Sequence, residues 1–247
     1  EVGGPTLREV CAHLHEKINT FLTTSPRNEK LSCVQQQTRI SLSVVHEALS
    51  RYSFDELALS FNGGKDCLVL LILFLSALHT HPHPPPAHAK IQSVYVQSSS
   101  PFPEVDSFVS TCVSTYQLSL HRYALGMKSA FEQYLRENPA VKAIFVGTRR
   151  TDPHGEFLTH FDMTDHGWPN FMRIQPVIDW HYREVWLFLR ELNIPYCCLY
   201  DMGYTSLGGT TDTLPNPVLL VPGSKDQFYP AYDERVDDAQ ERLGRHR

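Results

Sequence analysis

The chain has 247 residues, 42% of them hydrophobic, and a net charge of −5 from 22 basic and 27 acidic side chains. That length suits one sizeable α/β domain or at most two small ones. The acidic balance excludes the global positive field that a nucleic-acid partner calls for, and no apolar run is long enough to span a membrane, so any anion site has to be built locally.

Residues 7–22 and 34–51 carry apolar side chains at helical spacing (Leu7, Val10, Cys11, Leu14, Ile18 and Phe21, then Ile40, Val44, Val45, Ala48 and Leu49). They predict helices in a segment 1–52 that packs on the core behind it. A strand is expected over 56–61 and an apolar helix over 65–79, joined by Gly63 and Gly64. Paired glycines let backbone approach a ligand closely, and helix-start amides carry a partial positive charge. With Ser60, Asn62, Lys65 and Asp66 crowded on the turn, this is a pocket for phosphate or pyrophosphate. The spacing fits neither the Walker loop nor the dinucleotide fingerprint.

Residues 79–88, with His79, His81, His83 and His88 among prolines, read as a solvated linker rather than a metal site, because proline forces extended backbone and no carboxylate or thiol joins the group. A strand over 90–96, a helix from Pro103 to Tyr116, a short strand over 118–121, a helix over 127–137 and a buried strand over 143–147 follow. This alternation predicts an α/β fold, a doubly wound, mostly parallel sheet with helices on both faces, and places its core at 53–195. Such sheets bind ligands at the carboxyl ends of their strands, so the residues after Val96, Gly147 and Ile174 are expected to line the site.

After the buried strand, Arg149 and Arg150 can stabilise several negative charges, and Asp152 can hold Mg²⁺ or a ribose hydroxyl. Trp168 and Phe171 sit in a Gly/Pro-rich loop, where they either fill a small core or stack on a flat ring. Trp180 and Trp186 are expected to pack a helix over 182–192 on the sheet. The six cysteines (Cys11, Cys33, Cys67, Cys112, Cys197 and Cys198) form no C-x-x-C pair and read as reduced, buried thiols of an intracellular protein. The start at Glu1 has no signal-peptide character and no initiating methionine, as a trimmed chain would; the expected location is cytoplasmic.

The run SFNGGKD at 60–66 resembles the pyrophosphate loop of enzymes that cleave ATP between its α and β phosphates. Five motifs in order narrow this: SFNGGKDC (60–67), SPFPE (100–104), GTRRTDP (147–153), GWPNFMR (167–173) and GYTSLG (203–208). Together they resemble the eukaryotic FAD synthases, FMN adenylyltransferases of the phosphoadenylylsulfate-reductase-like fold, and the ending DDAQERLGR (237–245) is most similar to the fungal single-domain enzymes. The resemblance implies the reaction FMN + ATP → FAD + pyrophosphate with Mg²⁺. It implies ATP contacts from Ser60, Asn62, Gly63, Gly64, Lys65, Asp66 and Gly147, with adenine read by the strand-end backbone at Tyr95, Val96 and Gln97. It implies flavin contacts from Arg149, Asp165, Trp168, Arg173, Arg242 and Arg245, the last two being otherwise a frayed basic tail.

Asn62, Asp66, Arg150 and Asp152 are the expected catalytic set, with Asp66 and Asp152 at the metal, and 196–247 is expected to complete the flavin site within a single domain. Residues 97–100 lack the charged side chain that several relatives carry there, so a salt bridge at that point is not expected. Partners are then the small molecules ATP and FMN, with apoflavoproteins as candidate clients of FAD and neither nucleic acid nor membrane. The rivals are a phosphoadenylylsulfate reductase, which needs a nucleophilic cysteine in its tail where this chain has none after Cys198, and a non-catalytic nucleotide or flavin binder, which would not need Asp66 and Asp152.

Overall fold

In a computed structural model that describes residues 4–246, six strands form one sheet: β1 (Leu57–Ser60), β2 (Ile91–Val96), β3 (Leu118–Tyr123), β4 (Ala143–Phe145), β5 (Phe161–Met163) and β6 (Met172–Ile174), in the order β3-β2-β1-β4-β6-β5. Every neighbouring pair is parallel except β5 with β6. The chain builds outward from β1 to β3, then returns to place β4 on the opposite side of β1. That reversal opens a crevice between the carboxyl ends of β1 and β4. Residues Glu1 to Gly3, read above for a targeting signal, lie outside the described residues.

The two faces are unequal. Leu57 and Leu59 of β1 point into a large core shared with α1 (Leu7–Thr23), α2 (Glu29–Arg51), α3 (Lys65–Thr80), α4 (Pro103–Thr115) and α6 (Tyr182–Glu191). Ala58, one residue out of phase, points to the other face and a smaller core under α5 (Met127–Glu137). Helix α3 is apolar all round and buried from Cys67 to Leu78, as a helix enclosed on every side must be. The segments read as 1–52, 53–195 and 196–247 all contribute to the large core, from Leu7 to Val236.

Local chemistry explains the boundaries. Thr6 and Glu9 close a reciprocal capping box on α1. Helix α2 starts five residues before its apolar pattern, because Asn28 Oδ1 accepts from the Leu31 amide at 2.9 Å and caps a polar first turn. Trp180 and Trp186 are buried as expected: Trp180 Nε1 donates to Ser41 Oγ of α2 at 2.8 Å, and Trp186 sits edge-on among Tyr182, Tyr196, Tyr200 and Tyr232.

The proline-rich linker lies at the surface as expected and is anchored at two points: Leu7 N–H donates to Ala87 O at 3.1 Å, and Arg8 Nε to the carbonyl of buried Pro85 at 3.2 Å. Two expectations are corrected. The thiols of Cys33 and Cys198 are exposed, while the other four are buried. The residues after Ile174 leave the crevice: Gln175 is buried on Thr159 and Asp162, and Val177, Ile178 and Trp180 continue into the core.

Candidate active site

Strand β1 ends with Phe61 N–H still bonded to Val94 O at 2.9 Å. The chain then turns sharply. Gly63 has φ +77°, and a Cβ there would lie 2.8 Å from Val109 Cγ2 of α4. The left-handed backbone and the crowding both demand glycine. Asn62 Oδ1 accepts from Gly64 N–H at 2.9 Å and locks the turn. Tyr200 Oη accepts from Lys65 N–H at 2.9 Å. Across the crevice a Cβ on Gly147 would stand 2.9 Å from Cys67 N, so the end of β4 lies against the first turn of α3. The Cys67 thiol lies beside Asn62 and Gly64, and burial pushes it up to about 12, so it is a packed thiol and not a nucleophile.

Beneath this loop lies a buried charge cluster. Lys65 Nζ pairs with Asp66 Oδ2 at 3.1 Å and with Glu241. Arg149 Nε stands 2.8 Å from Asp66 Oδ1, Nη1 lies 3.3 Å from Asp238 Oδ1, and Nη2 pairs with Glu241. Asp238 also accepts from Tyr182 N–H at 2.7 Å and pairs with His181 Nδ1 at 2.6 Å. Burial opposes the charges of Lys65, Asp66 and Arg149, and the opposite charges outweigh it. Asp66 is held below its ordinary range by Lys65 and Arg149, while Lys65 and Arg149 are held above theirs by Asp66 and Glu241. Asp152, which accepts from Arg149 N–H at 2.8 Å, is instead raised by burial and by the nearby Asp66 charge.

A cleft of about 480 Å³ opens above the loop, a size typical of small-molecule sites. Its glycine-loop end is lined by Ser60, Asn62, Gly64, Asp66, Gly147 and Asp152. Its far end is lined by Asp165, Trp168, Phe171 and Arg173, and the C-terminal segment closes the third side with Arg242 and Arg245. Lys65 and Val96 also reach it. Trp168 is 39% exposed and forms a wall of the cleft, whereas Phe171 is buried against Phe131 with ring centroids 5.2 Å apart. The basic tail is docked rather than frayed: Thr213 bridges Arg245 in backbone pairing, and Asn216 Nδ2 donates to Gln240 O at 2.8 Å. Arg245 Nε pairs with Asp212 Oδ1 at 3.5 Å, and burial, with the neighbouring Arg242, still holds it below its ordinary value.

Several expected residues stand elsewhere. Arg150 is directed away: Nε pairs with Asp179 at 2.7 Å and Nη1 donates to Glu156 O and Leu158 O, so it does not line the cleft. Arg149 lies under the floor with its guanidinium spent on three carboxylates. Tyr95 and Gln97 both bond to Asp106, and the Gln97 amide is spent on Tyr123 O at 2.9 Å. Gly63 shapes the loop from behind without lining the cleft. Glu241, Asp238 and Tyr200 were missed by the sequence reading. The one signal for the first two was the run of acidic residues Asp237, Asp238 and Glu241 just before Arg242, in a segment otherwise read for its arginines.

A family model for the phosphoadenosine phosphosulfate reductase domain matches residues 56–215. A Schizosaccharomyces pombe protein described as a probable FAD synthase is 45% identical over 235 residues, covering 94% of this chain and 87% of that one. The flavin adenine dinucleotide synthase of Saccharomyces cerevisiae is 33% identical over 244 residues, covering 90% of this chain and 78% of its own length. The crystal structure of Candida glabrata FMN adenylyltransferase in complex with FAD and inorganic pyrophosphate superposes with a TM-score of 0.92 at 28% identity, over 100% of this chain and 99% of that one.

Proposed function

The chain belongs to the FAD synthase family, and from that premise we propose how its cleft transfers the adenylyl group of ATP to the phosphate of FMN, releasing FAD and pyrophosphate. The observation that carries the reading is the continuity of one cleft, from the glycine loop at the β1–α3 turn to Trp168, Arg242 and Arg245. Two anionic nucleotides can lie end to end in it.

A phosphomonoester has a second pKa of about 6 and is largely dianionic at neutral pH. The FMN phosphate oxygen therefore needs no general base. It attacks the α-phosphorus in line; the bond from that phosphorus to the bridging oxygen breaks, and the electron pair leaves with pyrophosphate. The barrier is the approach of two polyanions, so positioning and charge neutralisation supply the catalysis.

The helix-start dipole of α3 and the turn fixed by Asn62 face the pyrophosphate end. Arg242 and Arg245 meet the flavin-side phosphate, and Asp165, Trp168 and Arg173 meet the flavin ring system. Asp66 Oδ1 lies 2.8 Å from Arg149 Nε without hydrogen-bond geometry, and Asp66 and Asp152 line the same cleft. Among the described residues there is no group of three or more side chains suited to a metal. This donor set fits Mg²⁺ held by one or two carboxylates, Asp66 and Asp152, with phosphate oxygens as the other ligands. The ion supplies charge neutralisation on the phosphates. Among the described residues no helix is long and apolar enough to cross a membrane; we place the enzyme in the cytoplasm, with apoflavoproteins as clients for its product.

Incubation of the protein with FMN, ATP and Mg²⁺, followed by chromatographic separation of flavins, tests the reading. FAD and pyrophosphate are expected in equal amounts. No FAD above a protein-free control would refute it.

A further inference from the structure

The four charges beneath the loop close a ring of alternating sign. Asp66 bridges Lys65 and Arg149 from one side, through Oδ2 at 3.1 Å and Oδ1 at 2.8 Å. Glu241 bridges the same two cations from the other side, Oε1 to Lys65 and Oε2 to Arg149. Side-chain exposure is 2% for Lys65, 0% for Arg149 and 6% for Glu241. The main chain at Glu241 is fixed as well, since its carbonyl accepts from Thr205 Oγ1 at 2.6 Å. Two corners are the first residues of α3, the third sits in the loop after β4, and the fourth is delivered by the C-terminal segment.

This geometry changes the part played by Lys65. Its ammonium is committed to two carboxylates and lies 5.2 Å from the Tyr182 ring centre, so it is not a free cation waiting for a phosphate. Lys65 and Arg149 instead hold Asp66, and Glu241 holds them. We propose that Glu241 is a positioning residue for adenylyl transfer: by bridging Lys65 and Arg149 it fixes the place of the Asp66 carboxylate in the cleft. The role rests on the transfer reading above, and wild-type FAD formation checks that reading independently.

The ring has no net charge. Glu241→Gln keeps the side chain's volume and leaves the ring with one net positive charge. A more positive floor attracts anions, so binding of ATP and pyrophosphate holds or tightens. Asp66 is then the one ring carboxylate left, facing Lys65 alone and sharing Arg149 with Asp238, and its displacement slows the chemical step, where position matters most.

The test is steady-state kinetics with ATP and FMN, together with calorimetric titration of MgATP and of pyrophosphate into wild type, Glu241→Gln and Glu241→Asp. The Gln variant is expected to lose at least about tenfold in kcat, with ATP KM and both dissociation constants no weaker than about threefold above wild type. The Asp variant, which keeps the charge on a shorter arm, is expected to fall between the two in kcat. A Gln variant with wild-type kcat would overturn the proposal. So would one that loses ATP and pyrophosphate binding in step with its rate, the mark of a collapsed loop. Should the Gln variant fail to fold, the Asp variant decides: reduced kcat with retained ATP binding supports the role, and wild-type kcat removes it.

Discussion

Arg149 and Arg150 show how little a residue's type says about its work. They are neighbours with the same side chain, yet one is fully buried against Asp66, Asp238 and Glu241 and the other lies at the surface on Asp179. Arg149→Ala leaves buried carboxylates without their counter-ion and is expected to cost about 3–5 kcal/mol of stability. Arg150→Ala breaks an exposed pair and is expected to cost less than about 1 kcal/mol. Urea unfolding of the two variants checks the contrast, and equal midpoints would contradict it. In turnover, Asp152→Ala is expected to lower kcat at least about tenfold, roughly 1.4 kcal/mol of transition-state stabilisation. Arg150→Ala should stay near wild type; a large loss in that variant would put its guanidinium back in the cleft.

Among the elements, the β1–α3 turn is held from outside as much as from within. Tyr200 Oη caps the Lys65 amide from a short 3-10 turn at Cys198–Met202. Tyr200→Phe orphans that buried N–H and is expected to cost about 1–3 kcal/mol in chemical denaturation. An unchanged midpoint would show that the amide has another partner. On the opposite side, Val109 of α4 presses on Gly63. Gly63→Ala is expected to destabilise by about 1–3 kcal/mol through backbone strain and the clash with Val109. Adding Val109→Ala should relieve the clash and leave the strain, so the double variant should recover only part of the loss; full recovery would mean that φ +77° costs little there. The same turn was the most legible element in the sequence. Positive φ and close backbone approach leave glycine as their trace, and an apolar helix has to follow. The hairpin of β5 and β6 left almost none: Phe161–Met163 is three half-exposed residues at the sheet edge, too short for a periodic pattern.

Across the whole molecule, the C-terminal segment ties the fold to the site, and that tie is electrostatic. Burial raises the Asp66 and Asp238 carboxyls, but their partners hold both below the ordinary value of 3.8. Their contribution to stability is therefore present above that value and lost as pH falls through the lowered folded values. Asp152 and Glu184 are raised, chiefly by burial; theirs is present at low pH and lost as pH rises through the raised values. The melting temperature is expected to drop steeply below about pH 4, and Asp238→Asn should shallow that drop; an identical acid limb in the variant would exclude Asp238 as its source. Residue order alone carries the α/β layering, the glycine loop, the succession of motifs and the family, because local backbone demands and short-range spacing are written in neighbouring residues. It took the packed fold to bury Arg149 beneath the cleft and turn Arg150 to the surface, to pair Lys65, and to bring Glu241 in to complete the charge ring. Those depend on groups up to 176 positions apart meeting in space, where burial and Coulomb attraction act on distance and ignore order along the chain.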